Sequence, residues 1–189
     1  MEISAYTELD AVNNIIATLG EAPIDSLDEC TDVDAMNAYR ILQEVNRSEQ
    51  ARGWSFNIIE DYVLNPDVSD NNRIPWNSNY LFLRSKEYKL IRNGKYVKDL
   101  KTNSTLFKNP ITVDIVILMP FEELPEQMRS YITAKAGFMF QSAYYGDEGM
   151  MKVTQMQVDD CWQHLQDYEM DDNDYSMLDN DHVKELLSR

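Results

Sequence analysis

The chain has little of what several protein classes depend on. Its 189 residues contain two cysteines, Cys30 and Cys161, which make no disulfide framework and predict assembly in a reducing compartment. Its six glycines form neither a phosphate-cradling loop nor a Gly-x-Ser-x-Gly elbow. The histidines, His164 and His182, stand apart. Cys161 and His164 share a helical face, but one pair does not fill a four-ligand zinc shell, so neither metal nor cofactor is expected. Apolar runs such as 115–119 and 138–140 are far too short to span a bilayer. The opening Met-Glu-Ile-Ser-Ala-Tyr lacks the basic-then-apolar order of a secretory signal. Positive charge is scarce too, with 17 basic against 33 acidic residues and a formal net charge of −16. That is the wrong sign for a protein that gains affinity by neutralising phosphates.

What the chain does have is a core and an uneven distribution of charge. Hydrophobic residues make up 43% and aromatics 11%, enough for a folded body that buries roughly 70% of its unfolded surface. Residues 84–108 carry eight bases and two acids, while residues 147–189 carry three bases and twelve acids. An acidic body therefore holds one compact basic segment and ends in an acidic stretch.

Periodicity divides the chain into helix, strand and helix again. Thr7 with Asp10 imitates a capping box ahead of Leu9, Val12, Ile15, Ile16 and Leu19 at helical spacing, with Gly20 as the stop. A second helix is predicted from about Asp32 to Arg52, opened by Thr31 with Asp34 and striped by Ala35, Ala38, Tyr39, Leu42 and Val45. Trp54, Phe56 and Ile58 then alternate with Ser55 and Asn57, which predicts a half-buried strand. Residues 68–79 read as a polar loop. Asn93-Gly94 between Tyr88–Arg92 and Lys95–Val97 predicts a hairpin with a type I′ turn. Ile111 to Leu118 is the clearest strand. Met128 to Tyr145 is apolar on several sides, as in a central helix, and a fourth helix is predicted over about 147–169, with Val158, Cys161, Trp162, Leu165 and Tyr168 on one face. The expectation is an α+β fold: a mainly helical body of about four helices, with a small antiparallel sheet and hairpin region inserted between helices 2 and 3. As domains, residues 1–174 form one unit (helical at 7–53 and 125–170, β at 54–118), followed by an extended partner-binding tail at 175–189.

Few constellations carry chemistry. Glu122, Glu123 and Glu126 stand where a helix begins, a position that favours negative charge without any catalytic role. A glycan hydrolase using Glu122 or Glu126 with a second carboxylate is the enzymatic alternative, and it requires two carboxyls roughly 5–10 Å apart in a cleft. Asp171, Asp172 and Asp174 resemble half of a calcium loop. Counted from Asp172, however, the sixth and twelfth positions hold Met177 and His182 where glycine and glutamate are needed. In the basic hairpin, Lys86, Lys89, Arg92, Lys95, Lys98 and Lys101 alternate with Tyr88 and Tyr96. Three readings are open for it: a ribbon for single-stranded nucleic acid, lysines that discourage edge pairing, or a docking surface for an acidic partner. At the end of the chain, Tyr175, Met177, Leu178, Val183, Leu186 and Leu187 are apolar anchors in an acidic stretch too short for a core, the pattern of a segment that folds onto a partner.

The order of several segments resembles the podovirus tail tubular protein A family. The likeness runs through Glu8-Leu-Asp-Ala-Val-Asn-Asn-Ile-Ile-Ala-Thr-Leu-Gly-Glu-Ala-Pro23 and the following Ile24-Asp-Ser-Leu-Asp-Glu29, Ala38 to Arg52, Gly53-Trp-Ser-Phe-Asn57, Ile111-Thr-Val113, Met128 to Phe140, Tyr175-Ser-Met-Leu-Asp179 and Leu186-Leu-Ser-Arg189. It is weakest at about 84–110 and at 147–160. The resemblance implies a structural virion protein of a helical body with a small β part. It also implies a head-to-tail adaptor ring, of twelve copies in the family, between the portal protein and the tail nozzle (tail tubular protein B), with tail fibres anchored nearby. DNA would pass a central channel without specific binding, and the protein would be made in the host bacterial cytoplasm and reside in the virion tail. On this resemblance Tyr175, Met177, Leu178, Leu186 and Leu187 reach the portal. Lys86, Lys89, Arg92, Lys95 and Lys98 face the nozzle or a fibre.

Overall fold

The computed structural model describes residues 6–28, 30–146 and 148–179, the last eight of these by their backbone alone. The fold is α+β: four helices, with small antiparallel sheets between the second and the third. The chain divides into two compact units, residues 1–49 with 120–189, and residues 50–119.

The first unit is helical. Helix α1, Glu8–Ala17, begins with the expected capping box: the Thr7 hydroxyl accepts from the Asp10 N–H at 3.2 Å, and the Thr7 N–H donates to the Asp10 carboxylate at 3.0 Å. Ala11, Val12, Ile15 and Ile16 form its buried stripe. Helix α2, Val33–Gln50, opens one residue later than predicted. The Asp32 carboxylate, not Thr31, accepts the Ala35 N–H at 2.9 Å, because a carboxylate just before the first turn satisfies an orphan donor directly. Helix α3, Glu126–Tyr144, follows Pro125 and is buried on several sides through Met128, Tyr131, Ile132, Ala136 and Phe140, with α1 and α4 packed on it. Lys135 on α3 donates at 2.6 Å to Glu49, whose side chain is almost wholly buried. Gly146 ends the segment at φ +65°, a left-handed conformation that glycine adopts without a Cβ penalty.

Helix α4 spans Glu148–Asp179 and continues past the predicted end near Glu169. The acidic run 171–174 contains no proline or glycine, so poor helix formers alone do not stop it. Trp162 of α4 stacks obliquely on Tyr131 of α3, with ring centroids 5.1 Å apart.

The second unit is a small β body. The predicted strand through Trp54 and Phe56 does not form. Ser55–Asn57 is a 3-10 turn, and strand β1 starts at Ile58 and runs to Leu64. Asn57 decides this. Its buried amide donates at 2.9 Å to both the Gln50 and the Ile117 carbonyls, and its oxygen accepts the Trp54 N–H at 2.8 Å. Such a set of bonds outweighs the alternation pattern. Gln50 closes the unit where the chain enters and leaves it, with its amide donating to the Met119 carbonyl at 3.0 Å and accepting the Met119 N–H at 2.8 Å.

Strands β2 (Tyr80–Arg84) and β5 (Ile111–Ile117) complete a three-stranded antiparallel sheet in the order β1-β5-β2. Strand β2 was not anticipated from the sequence. The register puts Leu64 opposite Ile111 and Leu83 opposite Ile115. One face of the sheet thus joins Ile74, Leu90, Val97 and Phe107 in a core. Strands β3 (Leu90–Asn93) and β4 (Tyr96–Asp99) form the expected hairpin. Its central turn residues are Gly94 and Lys95, with Asn93 paired to Tyr96. Positive φ falls on Gly94 alone, which fits a II′ turn rather than I′.

Candidate functional site

The basic hairpin is built as a platform with one polar pin. Asp99 is buried, and its carboxylate accepts N–H bonds from Lys89 (3.2 Å), Lys101 (3.0 Å) and Thr102 (3.2 Å) and the Thr102 hydroxyl at 2.8 Å. Burial alone would raise its pKa. Those bonds, the Lys101 N–H and the Thr102 hydroxyl foremost, outweigh burial and hold the carboxyl below the usual aspartate value. One acid therefore fixes the loop after β4 to the strand before it. The second edge of β4 is covered as well, with Val97 N–H donating to Ile74 O at 2.9 Å and Trp76 N–H to Lys95 O at 2.8 Å.

The register then sorts the side chains. Leu90, Val97 and Asp99 face inward, while Lys89, Ile91, Lys98 and Leu100 stand on the outward face, with Ile91 directly opposite Lys98. Ile91 and Leu100 are exposed at 38% and 39%. Lys86, Lys89, Arg92 and Lys95 are exposed and Lys98 is half-buried. Arg92 folds over the turn to donate to the Gly94 carbonyl at 3.0 Å. All five cations expected at this site thus lie on or beside one hairpin. The apolar pair between them escaped the sequence reading, because it becomes visible only once the register is known.

Of the residues expected to reach a partner from the chain's end, Tyr175, Met177 and Leu178 lie on the last turns of α4, and Leu186 and Leu187 lie outside the described residues. The helix carries the first three on an α-helical backbone, where an extended tail had been expected to begin.

The carboxylates weighed as an acid/base pair have other partners. Glu126 pairs with Arg129 at 2.6 Å, and Arg129 also donates to the Tyr6 carbonyl at 2.9 Å. Glu122 accepts the Glu8 N–H at the start of α1 at 3.3 Å, where a helix dipole favours an anion. Cys161 and His164 do meet, in the lining of a cleft of about 460 Å³ with Glu126, Asp167 and Asp171. Burial first, and then the charge of Asp160, pushes the Cys161 thiol pKa up, opposite to what a nucleophile needs. Among the described residues, no group of three or more His, Cys, Asp or Glu side chains is placed to hold a metal ion. None of the described helices is long and apolar enough to cross a membrane.

Helices capped and packed around α3, together with a β unit that carries a basic hairpin, define an α+β module. Comparison with known proteins specifies the family. The family model for tail tubular proteins matches residues 9–175, and the chain belongs to that family. It is similar to tail tubular protein A of Klebsiella phage KP34, with 27% identity over 143 residues covering 75% of this chain and 74% of that protein. The chain is a structural component of a phage tail.

Proposed function

We propose that the protein is a head-to-tail adaptor of a short-tailed phage, assembling into a ring that joins the portal to the tail nozzle and leaves a channel for the genome. The observation that carries this reading is the match to the tail tubular family along 9–175, nearly the whole chain, together with the likeness to a tail tubular protein A. The charge is compatible with it. At −16 per chain, a ring of twelve would carry about −190 formal charges, and any share facing a lumen repels phosphates so that DNA slides rather than sticks. A heterologous contact whose rotation closes makes such a ring, with roughly 800 Å² per partner for a standard interface. In this reading Tyr175, Met177, Leu178, Leu186 and Leu187 engage the portal. The hairpin cations Lys86, Lys89, Arg92, Lys95 and Lys98 are a docking surface for acidic protein, the nozzle or a fibre at its tip.

The test is an electron micrograph and co-sedimentation of the protein mixed with portal rings. The full chain is expected to add a collar to the portal, and a chain truncated after Asp174 to stay folded by circular dichroism yet remain in the supernatant. Truncated protein that still sediments with portal would refute the tail assignment. A full chain that never associates would refute the adaptor reading.

A further inference from the structure

The two units carry opposite charge. Residues 50–119 hold 10 bases and 7 acids, a net of +3, whereas the helical unit holds 7 bases and 26 acids, a net of −19. In a ring, each copy presents itself to the next, so this segregation is a device for head-to-tail contact provided that each unit has a surface of matching shape. The outward face of the hairpin is one such surface, with Ile91 and Leu100 set between Lys89 and Lys98.

Its counterpart lies where α3 ends and α4 begins. Thr18 and Leu19 after α1, Gln141 and Tyr145 at the end of α3, and Met150 in the first turn of α4 enclose a mainly apolar cavity of about 200 Å³. Gln141 is only 2% exposed, its side-chain amide held by the Thr154 hydroxyl at 3.0 Å. The lining residues Tyr145 and Met150 are exposed, as are Tyr144, Val153 and Met156 nearby in the sequence. Methionine and tyrosine side by side make an adaptable, aromatic-anchored contact surface. Acids rim it. The Tyr145 hydroxyl donates to Asp34 at 3.4 Å, and Glu21 and Asp32 stand near enough to add to the rise in its pKa, behind lost hydration and Asp34 itself.

We infer that this methionine–tyrosine end of the helical unit receives the outward face of the hairpin from a second copy, with Ile91 entering the Gln141 cavity and Lys89 and Lys98 meeting the Glu21, Asp32 and Asp34 rim. The contact joins two different patches, so it is heterologous and propagates from copy to copy. It rests on the ring reading above and gives that ring its lateral bond. It narrows the surface left for the nozzle or a fibre to Lys86, Arg92 and Lys95, because Lys89 and Lys98 are taken up by the neighbouring copy.

The test uses the full chain with Cys30 and Cys161 replaced by serine. Protein carrying Ile91→Cys is mixed with protein carrying Met150→Cys, both substitutions being at exposed positions, and the mixture is treated with a short bis-maleimide before and after addition of portal, with micrographs of each sample. The expected product is a dimer joining one chain of each kind, absent when either protein is treated alone. Lys89→Glu with Lys98→Glu in the first protein should cut its yield about tenfold, and Asp34→Lys in the second should restore it. Rings that form without the cross-link would overturn this contact and leave the adaptor reading intact. A cross-link without closed rings would support the contact and count against the ring. Neither rings nor cross-link would refute both.

Discussion

The helical unit and the β unit are held together by different means. In the helical unit the fixed points are apolar: Val12, Ile15, Leu42, Ile132, Phe140 and Leu165 are almost wholly excluded from water. Its polar contacts are of both kinds: Lys135 with buried Glu49 at 2.6 Å and Thr154 with buried Gln141 at 3.0 Å join helices, while the Arg40–Glu44 pair at 3.8 Å is exposed and contributes little. The β unit has short strands and a smaller core, and it relies on buried polar clips. Asp99 ties the hairpin loop, Asn57 ties the entry turn, and Gln50 joins the two ends of the segment. A two-stranded hairpin is marginal in water by itself, so the clips keep the basic face rigid enough to be a surface. A unit that carries most of the negative charge relies on packing, which repulsion does not loosen one bond at a time. The unit with the cations relies on directional bonds, which place each cation.

The comparison breaks most visibly if a core ring is removed from the first unit. Phe140 is fully buried and touches Tyr144 at 5.1 Å between ring centroids and Tyr145 at 6.2 Å. Phe140→Ala is expected to cost about 4 kcal/mol through lost burial and the cavity left behind. Urea unfolding followed by tryptophan fluorescence measures it. A loss below 1 kcal/mol would mean that packing is not what holds α3.

The second unit should fail through a charge. Asp99→Ala leaves three backbone N–H groups and one hydroxyl without their acceptor, and about 3 kcal/mol is expected. Amide exchange should show protection lost across residues 88–104 while α1 and α3 keep theirs. The parent protein shows the same dependence through pH. Because the folded pKa of Asp99 is depressed, its contribution is fully present above the unfolded value of about 3.9 and is lost as pH falls through the folded one. Acid should therefore release the hairpin loop in the parent and have no such step in the Asp99→Ala protein.

What could be read from the sequence follows the same division. The helical unit is ruled by periodic burial and local caps, both written in neighbouring residues, so Thr7 with Asp10, the α1 stripe and the many-sided α3 were all visible. The β unit depends on contacts distant along the chain. Asn57 bonds to Ile117 sixty residues away, so nothing near Trp54 and Phe56 signals that their alternation ends in a turn. Strand β2, Tyr-Leu-Phe-Leu-Arg, has no clean alternation because Leu81, Phe82 and Leu83 are consecutive apolar residues, and only pairing with β5 reveals it. At the hairpin, the turn residues lie one place later than Asn93-Gly94, which sets Lys98 rather than Tyr96 opposite Ile91. The outward pair Ile91 and Leu100 was therefore hidden although the hairpin was plain. The cavity beside Gln141 was hidden more deeply, since its lining comes from separated segments, Thr18 and Leu19, Gln141 and Tyr145, and Met150.

The smallest expected effect sharpens the comparison from the helical side. Thr7 is one directional polar device of that unit, and it lies at the exposed surface rather than in a core. Thr7→Ala removes the acceptor for the Asp10 N–H and one partner of the Asp10 carboxylate, and about 1 kcal/mol is expected. The Thr7 backbone and then its hydroxyl hold the Asp10 pKa below its ordinary value, so the cap acts fully above the unfolded aspartate value and weakens as pH falls through the folded one. The substitution should accordingly speed exchange only in the first turn of α1, and the gap between the two proteins should narrow in acid. A loss as large as that for Asp99→Ala would mean that the helical unit, too, depends on single polar bonds, and the contrast between the units would fail.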